Sequence, residues 1–466
     1  MGDVREGLLG ESPWKLMIKL SLPAILGQFV VGLYPFVDSI FVGQMIGVDA
    51  LAAVSAASPF ILINNGIAVL VGMGSGSLLS RAIGANERKT VDAIMGNLAV
   101  LVLVLSGLVM LAGIPLAPTL VGLAGAQGAV LEMGTAYLQT VFLGSVFVNF
   151  MQSANMIIRA EGRMPIAMGI MASGAMLNIV LDPIFIIALP GYGVAAVAAA
   201  TVVSQFVQAV LTLVYFLRVS PVVKFKRLGL APELLKPILS VGLSGMLMQV
   251  LMLVQMTVIY NTAVQYGGAD QIALMGAAQR VLQLAFVPLW GMSQGLQPAV
   301  GTNYGAGLNR RVKKIANTFF IASTALALVF FIILQLFAAQ ILSAFIPDSA
   351  LVARGIDNFR LMYILFPTYG LMIMMFTFFQ SLGKGAIAGV LVVLRQALLA
   401  VPLVLVLPQL FGIVGVWAAV PLNDGIVLII AAVLIARAYR DLGNQDAPRK
   451  DGAPNDKRLA TAGSKA

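Results

Sequence analysis

Residues 177–186 read LNIVLDPIFI, an apolar decapeptide with one carboxylate, Asp182, near its centre. An ionised group at membrane depth costs roughly 3 kcal/mol or more, so one that stands in such a run calls for a purpose. Composition decides that the run lies in a bilayer. The 466 residues are 60% hydrophobic and only 10% charged, with a mean hydropathy of +0.97. Soluble domains carry about 25% charged residues, so much of this apolar surplus must face lipid. The chain has no cysteine and no histidine, which excludes disulfides, thiolate or imidazole metal sites, and Cys–His or Ser–His catalysis. The polar start MGDVREGLLGESPWK runs straight into a long apolar stretch. It lacks a short hydrophobic core with a small-residue cleavage site, so no cleaved signal peptide is expected.

Outward from Asp182, about twelve apolar segments reach the roughly 20 residues that a bilayer requires. They fall near 16–44, 50–79, 92–115, 132–157, 165–189, 193–217, 235–264, 271–299, 315–341, 352–381, 385–408 and 413–437. Charge alternates between the connections. With the N-terminus inside, 25 of the 29 basic residues lie on the inner side, Arg354 and Arg360 lie outside, and Arg280 and Arg395 fall within spans. The positive-inside rule therefore predicts an inner-membrane, multi-pass protein with both termini cytoplasmic. The net charge of +10 reflects topology, and no nucleic-acid partner is expected.

The sequence also repeats. Gly84 and Gly305, Gly162 and Gly383, Gly74 and Gly295, and Lys15 and Lys236 are each 221 positions apart. An even number of spans separates the copies, so they share one orientation, a layout found in many transporters. The expected fold is an all-α membrane protein of two parallel six-helix lobes. Residues 1–217 form the N-terminal lobe, 218–234 a basic cytoplasmic linker and 235–440 the C-terminal lobe. The polar tail, 441–466, is expected to be disordered.

Only three acids lie well inside the spans: Asp38, Asp182 and Asp424. At about 1.5 Å per residue, Asp38, Asp182 and Thr201 come roughly 9–12 Å below the outer ends of the first, fifth and sixth spans. Asn178 precedes Asp182 by one turn and shares its helix face. Four oxygen-bearing side chains of one lobe thus occupy one level, the ligand chemistry that hard cations such as Na⁺ prefer. Two close carboxyls would equally serve as a proton carrier. The plainer reading, that both acids only bond neighbouring backbone, is disfavoured because intramembrane acids are functional by default. Tyr34, Tyr137, Gln152 and Asn155 offer polar tips for lining a substrate cavity. Met171 belongs to a methionine-rich stretch suited to promiscuous apolar contact, although methionine in a span is more often packing. Arg395 and Asp424 lie on consecutive antiparallel spans, roughly 15 and 20 Å from the inner face, and are expected to form a structural ion pair.

The pattern P-x(14)-D-x-x-F-V-G followed by LAAVSAASP, the loop SRAIGANERK, and RAEGRMPIAMGIMASGAMLNIVLDPIFI resemble the N-terminal lobe of multidrug and toxic compound extrusion (MATE) transporters. GMSQGLQPAVGTNYGAG and LPQLFGIVGVWAAVPLND resemble the prokaryotic branch related to DNA-damage-inducible-F-type and staphylococcal exporters. The likeness covers residues 12–437. It implies a V-shaped pair of lobes around a central cavity, and antiport of organic, often cationic, drugs against Na⁺ or H⁺ with no other cofactor; a monomer is expected. It also implies that Asp38, Asn178, Asp182 and Thr201 form the coupling-ion site. Another branch of the family has acids in the seventh and tenth spans, which this chain lacks, so coupling is expected in the N-lobe. Pro23 and Pro35 flank the approach to Asp38. The resemblance suggests that bending there gates the cavity, while a static kink is an equally good reading of the prolines alone.

No enzyme is expected. The glycine-rich GMGSGS at 72–77 lacks the lysine of a phosphate loop and lies inside a span, where small residues serve helix packing. A major-facilitator drug/H⁺ antiporter would share the twelve spans and parallel halves. Its loop motif needs an aspartate that GSLLSRAIGANERK does not have. A lipid or oligosaccharide flippase of the same superfamily is the other alternative, with a more cationic cavity expected.

Overall fold

The computed structural model describes residues 1–226, 228–268 and 270–446. The described part is helical throughout, and no strand occurs in it. The N-terminal half contains α1 (Gly2–Gly10), α2 (Pro13–Phe41), α3 (Val48–Ala85), α4 (Arg88–Leu123), α5 (Gly128–Leu143), α6 (Ser145–Ala160), α7 (Met164–Ala188) and α8 (Val194–Val214). The C-terminal half contains α9 (Pro232–Gly267), α10 (Asp270–Gly305), α11 (Asn309–Leu336), α12 (Ala338–Ser343), α13 (Ser349–Met362), α14 (Phe366–Ser381), α15 (Gly385–Val393), α16 (Ala400–Phe411) and α17 (Ile413–Asp446).

The repeat is exact at several helix starts. Arg88 and Asn309, Gly128 and Ser349, Ser145 and Phe366, and Met164 and Gly385 each begin equivalent helices 221 positions apart. The punctuation repeats too. Asn86 ends α3 in the left-handed conformation at φ 58°, and Gly307 adopts φ 74° at the matching place after α10. Gly162 and Gly383 both take φ 74° ahead of α7 and α15. These are the positions where glycine, or asparagine, carries no Cβ penalty.

Among the described residues, ten helical stretches are long and apolar enough to cross a membrane, one of them α15 and α16 joined by a π-helical turn over Gly385–Phe411. Two further expected spans are bent pairs: α5 with α6 at 53°, and α13 with α14 at 42°. The breaks have local causes. A Cβ on Gly144 would lie 2.6 Å from Val202 of α8, so the helix is pinched where it has no side chain. Pro367 sits at the start of α14, and without an N–H it cannot extend the ladder from α13. The segment Leu394–Leu398 between α15 and α16 is a π-helical turn, a widening often found at functional sites. At the C-terminal end, α17 runs to Asp446. The first six residues of the expected tail are therefore helical, and residues 447–466 lie outside the described part.

The lobes meet at the end that carries the basic loops. There α2 packs on α10, α9 on α3, and α3 on α10, and the contacts are backbone-close. A Cβ on Gly74 would fall 2.0 Å from the Ile238 carbonyl oxygen, and one on Gly242 1.7 Å from that of Leu70. Such stacking of small residues replaces hydrophobic driving force where lipid is as apolar as the helices. The Ser77 hydroxyl donates to the Gln380 carbonyl at 2.5 Å, crossing between lobes. Helix α1 lies over the same end: Arg5 donates to the Gly84 carbonyl at 3.1 Å, and Asn303 donates to the Leu8 carbonyl at 3.1 Å.

Candidate functional site: an oxygen cluster in the N-lobe

Helices α2, α7 and α8 bring the four expected oxygen-bearing side chains together. One turn apart on α7, the Asn178 amide donates to Asp182 Oδ1 at 2.9 Å. The same amide nitrogen lies 3.3 Å from Thr201 Oγ1 on α8. Thr201 spends its own proton on the Val197 carbonyl one turn back, at 3.1 Å, which turns a hydroxyl lone pair toward Asn178. Asp38, from α2, lies near enough to Asp182 for the two carboxyls to feel each other's charge. Asp182 is fully buried and Asn178 is 3% exposed.

Satisfaction is incomplete. Asp38 Oδ1, Asp182 Oδ2 and Asn178 Oδ1 are sealed from solvent without a hydrogen-bond partner. Each buried orphan of this kind carries a desolvation cost of about 1–3 kcal/mol, larger for charged groups. Three of them in one cluster form a place that a proton or a cation would complete. No set of three or more acidic, histidine or cysteine ligands occurs among the described residues. A cation here would be held by two carboxylates, an amide oxygen and a hydroxyl, a donor set that suits a monovalent hard ion.

The other expected residues divide. Tyr34 and Tyr137 lie close to both carboxylates, and Tyr137 is 6% exposed within the outer core of the lobe. Gln152 and Met171 line a central cavity of about 180 Å³ between the lobes. Asn155 does not reach it: its amide donates to the Ala167 carbonyl at 2.7 Å and it is 1% exposed, so it fastens α6 to α7. Pro23 and Pro35 both lie inside α2, which continues through them. Arg395 and Asp424 pair at 2.8 Å. Arg280 is exposed and lines an outer cavity, although it falls within a span. The buried arginine that the sequence reading missed is Arg159, 9% exposed, bonded across the lobes to Gln294 at the floor of the central cavity. A second group, Gln28, Gln249 and Trp290, borders two cavities at once. Their signal in the sequence was the recurrence of glutamine inside apolar spans, at Gln249, Gln255, Gln279 and Gln283.

Comparison with known proteins agrees with the two-lobed helical fold. The MatE family model matches residues 23–184 and 245–406, once in each lobe. The multidrug export protein MepA of Staphylococcus aureus is 26% identical over 437 residues, 92% of this chain and 94% of that protein. Its counterpart in Staphylococcus saprophyticus is 27% identical over 435 residues, 92% and 95% of the two chains. A solved structure described as the outward-facing conformation of a multidrug resistance MATE family transporter of the MOP superfamily superposes with a TM-score of 0.87 at 27% identity, covering 94% of this chain and 98% of that one. A MOP superfamily transporter from Pyrococcus furiosus gives 0.88 at the same identity and coverage.

Proposed function

This chain belongs to the MATE family of multidrug efflux transporters, and from that membership we propose that it is a secondary antiporter coupling export of organic, often cationic, compounds to entry of H⁺ or Na⁺. It is a transporter and not an enzyme. The coupling ion is taken by Asp38, Asn178, Asp182 and Thr201. The observation that carries this reading is the set of three partnerless buried oxygens on Asp38, Asn178 and Asp182. A dry site of this kind strongly favours discharge of its carboxylates by whichever ion arrives.

Ion entry from outside neutralises the pair. The repulsion between Asp38 on α2 and Asp182 on α7 then becomes an attraction through a shared proton or a common cation, and α2 is drawn toward α7. The prolines of α2 supply the missing backbone bonds that let such a helix bend. A drug in the adjoining space, with Tyr34, Tyr137, Gln152 and Met171 among its neighbours, is displaced as that space contracts. The carboxyls therefore alternate between ion and drug, which is the thermodynamic requirement for exchange. The basic loops support a multi-pass inner-membrane protein with both termini cytoplasmic, by the positive-inside rule, acting as a monomer.

The test is dye efflux from proteoliposomes holding the full chain, driven separately by a Na⁺ gradient and by a pH gradient, with ethidium as the cationic probe. At least one gradient is expected to drive counterflow, and Asp38→Asn and Asp182→Asn are expected to reduce it to background while remaining monodisperse. Gradient-driven efflux at the wild-type rate in both variants would refute the coupling assignment.

A further inference from the structure

The C-terminal lobe contains a cavity of about 410 Å³ that the coupling mechanism does not use. It falls within the size range of small-molecule sites, roughly 300–1,000 Å³. One wall is aromatic: Phe286 and Trp290, one turn apart on α10, stack with centroids 6.0 Å apart and planes at 20°. Opposite them stand the thioethers of Met248, Met252 and Met256, an i, i+4, i+8 stripe on α9. Flexible thioethers facing flat rings accept planar aromatic guests of varied outline.

The polar end of this cavity is its distinctive part. Arg395 and Asp424 line it together, joined by one bond from Nε to Oδ1 at 2.8 Å. The guanidinium lies over the Tyr369 ring, 5.2 Å from its centroid, and Arg395 remains 16% exposed at its side chain. The ends of its fork therefore still face the space. Asp424 is 1% exposed, and its Oδ2 has no donor in bonding geometry; Gln396 is 3% exposed, and its Oε1 has none either. Both of these residues border the cavity. A pair serving stability alone has no use for leaving a carboxylate oxygen and a neighbouring amide oxygen buried and unmet, because each keeps its desolvation cost without a bond to offset it.

We propose that this C-lobe cavity is a second ligand site, selective for planar aromatic compounds of zero net charge that carry both a hydrogen-bond donor and an acceptor. The ligand's donor meets Asp424 Oδ2 and Gln396 Oε1, its acceptor or carboxylate meets the free end of the Arg395 fork, and its ring lies against Phe286 and Trp290. The fixed pair sets the selectivity. A lone cation would bring a like charge to Arg395 and a lone anion would bring one to Asp424, at a depth where little water screens them. A zwitterion or a neutral amide satisfies both groups without adding net charge. The rest of the polar lining is made of neutral amides, Gln28, Gln249 and Gln283 among them. Gln28 comes from α2 of the other lobe, so an occupied site touches the helix that carries Asp38. The site rests on the transport reading only for that link, and binding itself can be measured without transport.

Three matched probes separate the charge states: 6-(aminomethyl)-2-naphthoic acid, a zwitterion at pH 7; its methyl ester, a monocation; and its N-acetyl derivative, a monoanion. Each is titrated calorimetrically into the full chain in lipid nanodiscs, on the Asp38→Asn/Asp182→Asn background to silence the N-lobe cluster. The zwitterion is expected to bind one to one and at least about tenfold tighter than either relative, since it alone offers a charged partner to both Arg395 and Asp424. Phe286→Ala and Gln396→Leu are each expected to weaken it roughly tenfold. Gln396→Leu removes a buried orphan and so leaves thermal stability unchanged or raised, a result a merely structural glutamine would not give. The double variant Arg395→Gln/Asp424→Asn should abolish the preference among the three probes. Should it fail to fold, Phe286→Ala and Gln396→Leu still decide. No binding, equal binding of all three compounds, or zwitterion affinity untouched by both single variants overturns the proposal. Absence of gradient-driven efflux in the wild-type chain, with the binding pattern intact, would instead count against the antiport reading alone.

Discussion

Gly84 and Gly305, 221 positions apart, each lie against the backbone of the opposite lobe. A Cβ on Gly84 would come within 1.9 Å of the Thr302 carbonyl oxygen, and one on Gly305 within 2.0 Å of the Arg81 carbonyl oxygen. Thr302 is itself the repeat equivalent of Arg81, so the contact is made twice about one pseudo-twofold axis. It clamps the inner ends of α3 and α10. Gly84→Ala and Gly305→Ala should each force these helices apart, at a cost on the order of 1–3 kcal/mol. A fall in the thermal midpoint of the purified protein checks this, and unchanged midpoints for both variants would contradict it.

Arg395 and Asp424 should show energetic coupling. Removing one partner of a buried pair costs on the order of 3–5 kcal/mol because the other charge is left alone; the cavity beside Arg395 lowers that figure. The double variant Arg395→Gln/Asp424→Asn should therefore be more stable than the sum of the single losses predicts. Thermal unfolding of the four proteins gives the cycle, and strict additivity would mean that the 2.8 Å contact carries no energy.

Glu161 ends α6 beyond the spans and is 1% exposed. Its carboxylate accepts from the Tyr215 and Ser220 hydroxyls at 2.5 Å each and from the Val223 N–H at 2.8 Å, tying the α6–α7 turn to the linker. Burial pushes this carboxyl above its ordinary range, and these donors, with Arg163 nearby, offset part of the shift. The folded state therefore holds the proton to higher pH than the unfolded chain does. Its contribution is full below the unfolded carboxyl range and is lost as pH rises through the folded value. Wild-type stability should decline over that interval, and the decline should disappear in Glu161→Gln. Parallel pH profiles for the two proteins would exclude the assignment.

The orientation can be read by labelling, because the chain has no cysteine of its own. Asn86 and Tyr192 are exposed at opposite ends of the helices. In intact cells, Tyr192→Cys should react with an impermeant maleimide and Asn86→Cys should not. The reverse pattern would invert the topology.

Much of the molecule is written locally in the chain. Hydropathy and loop charge mark the crossings, and the 221-residue offset predicts helix starts as distant as Arg88 and Asn309. The N-lobe cluster was also legible. Asn178 and Asp182 share a face through helix periodicity, and a fixed rise per residue puts Asp38 and Thr201 at their depth. The tertiary structure alone decided what depends on rotation about each helix axis. It turned Gln152 toward the central cavity and Asn155 into packing, buried Arg159, exposed Arg280, and broke two crossings at Gly144 and before Pro367. It also assembled Phe286, Trp290, Arg395, Gln396 and Asp424 around one space. Depth is encoded because water and lipid differ so sharply in polarity. Azimuth is not, because lipid and protein interior are equally apolar, and close packing at residues such as Gly84 and Gly242 settles which face turns inward.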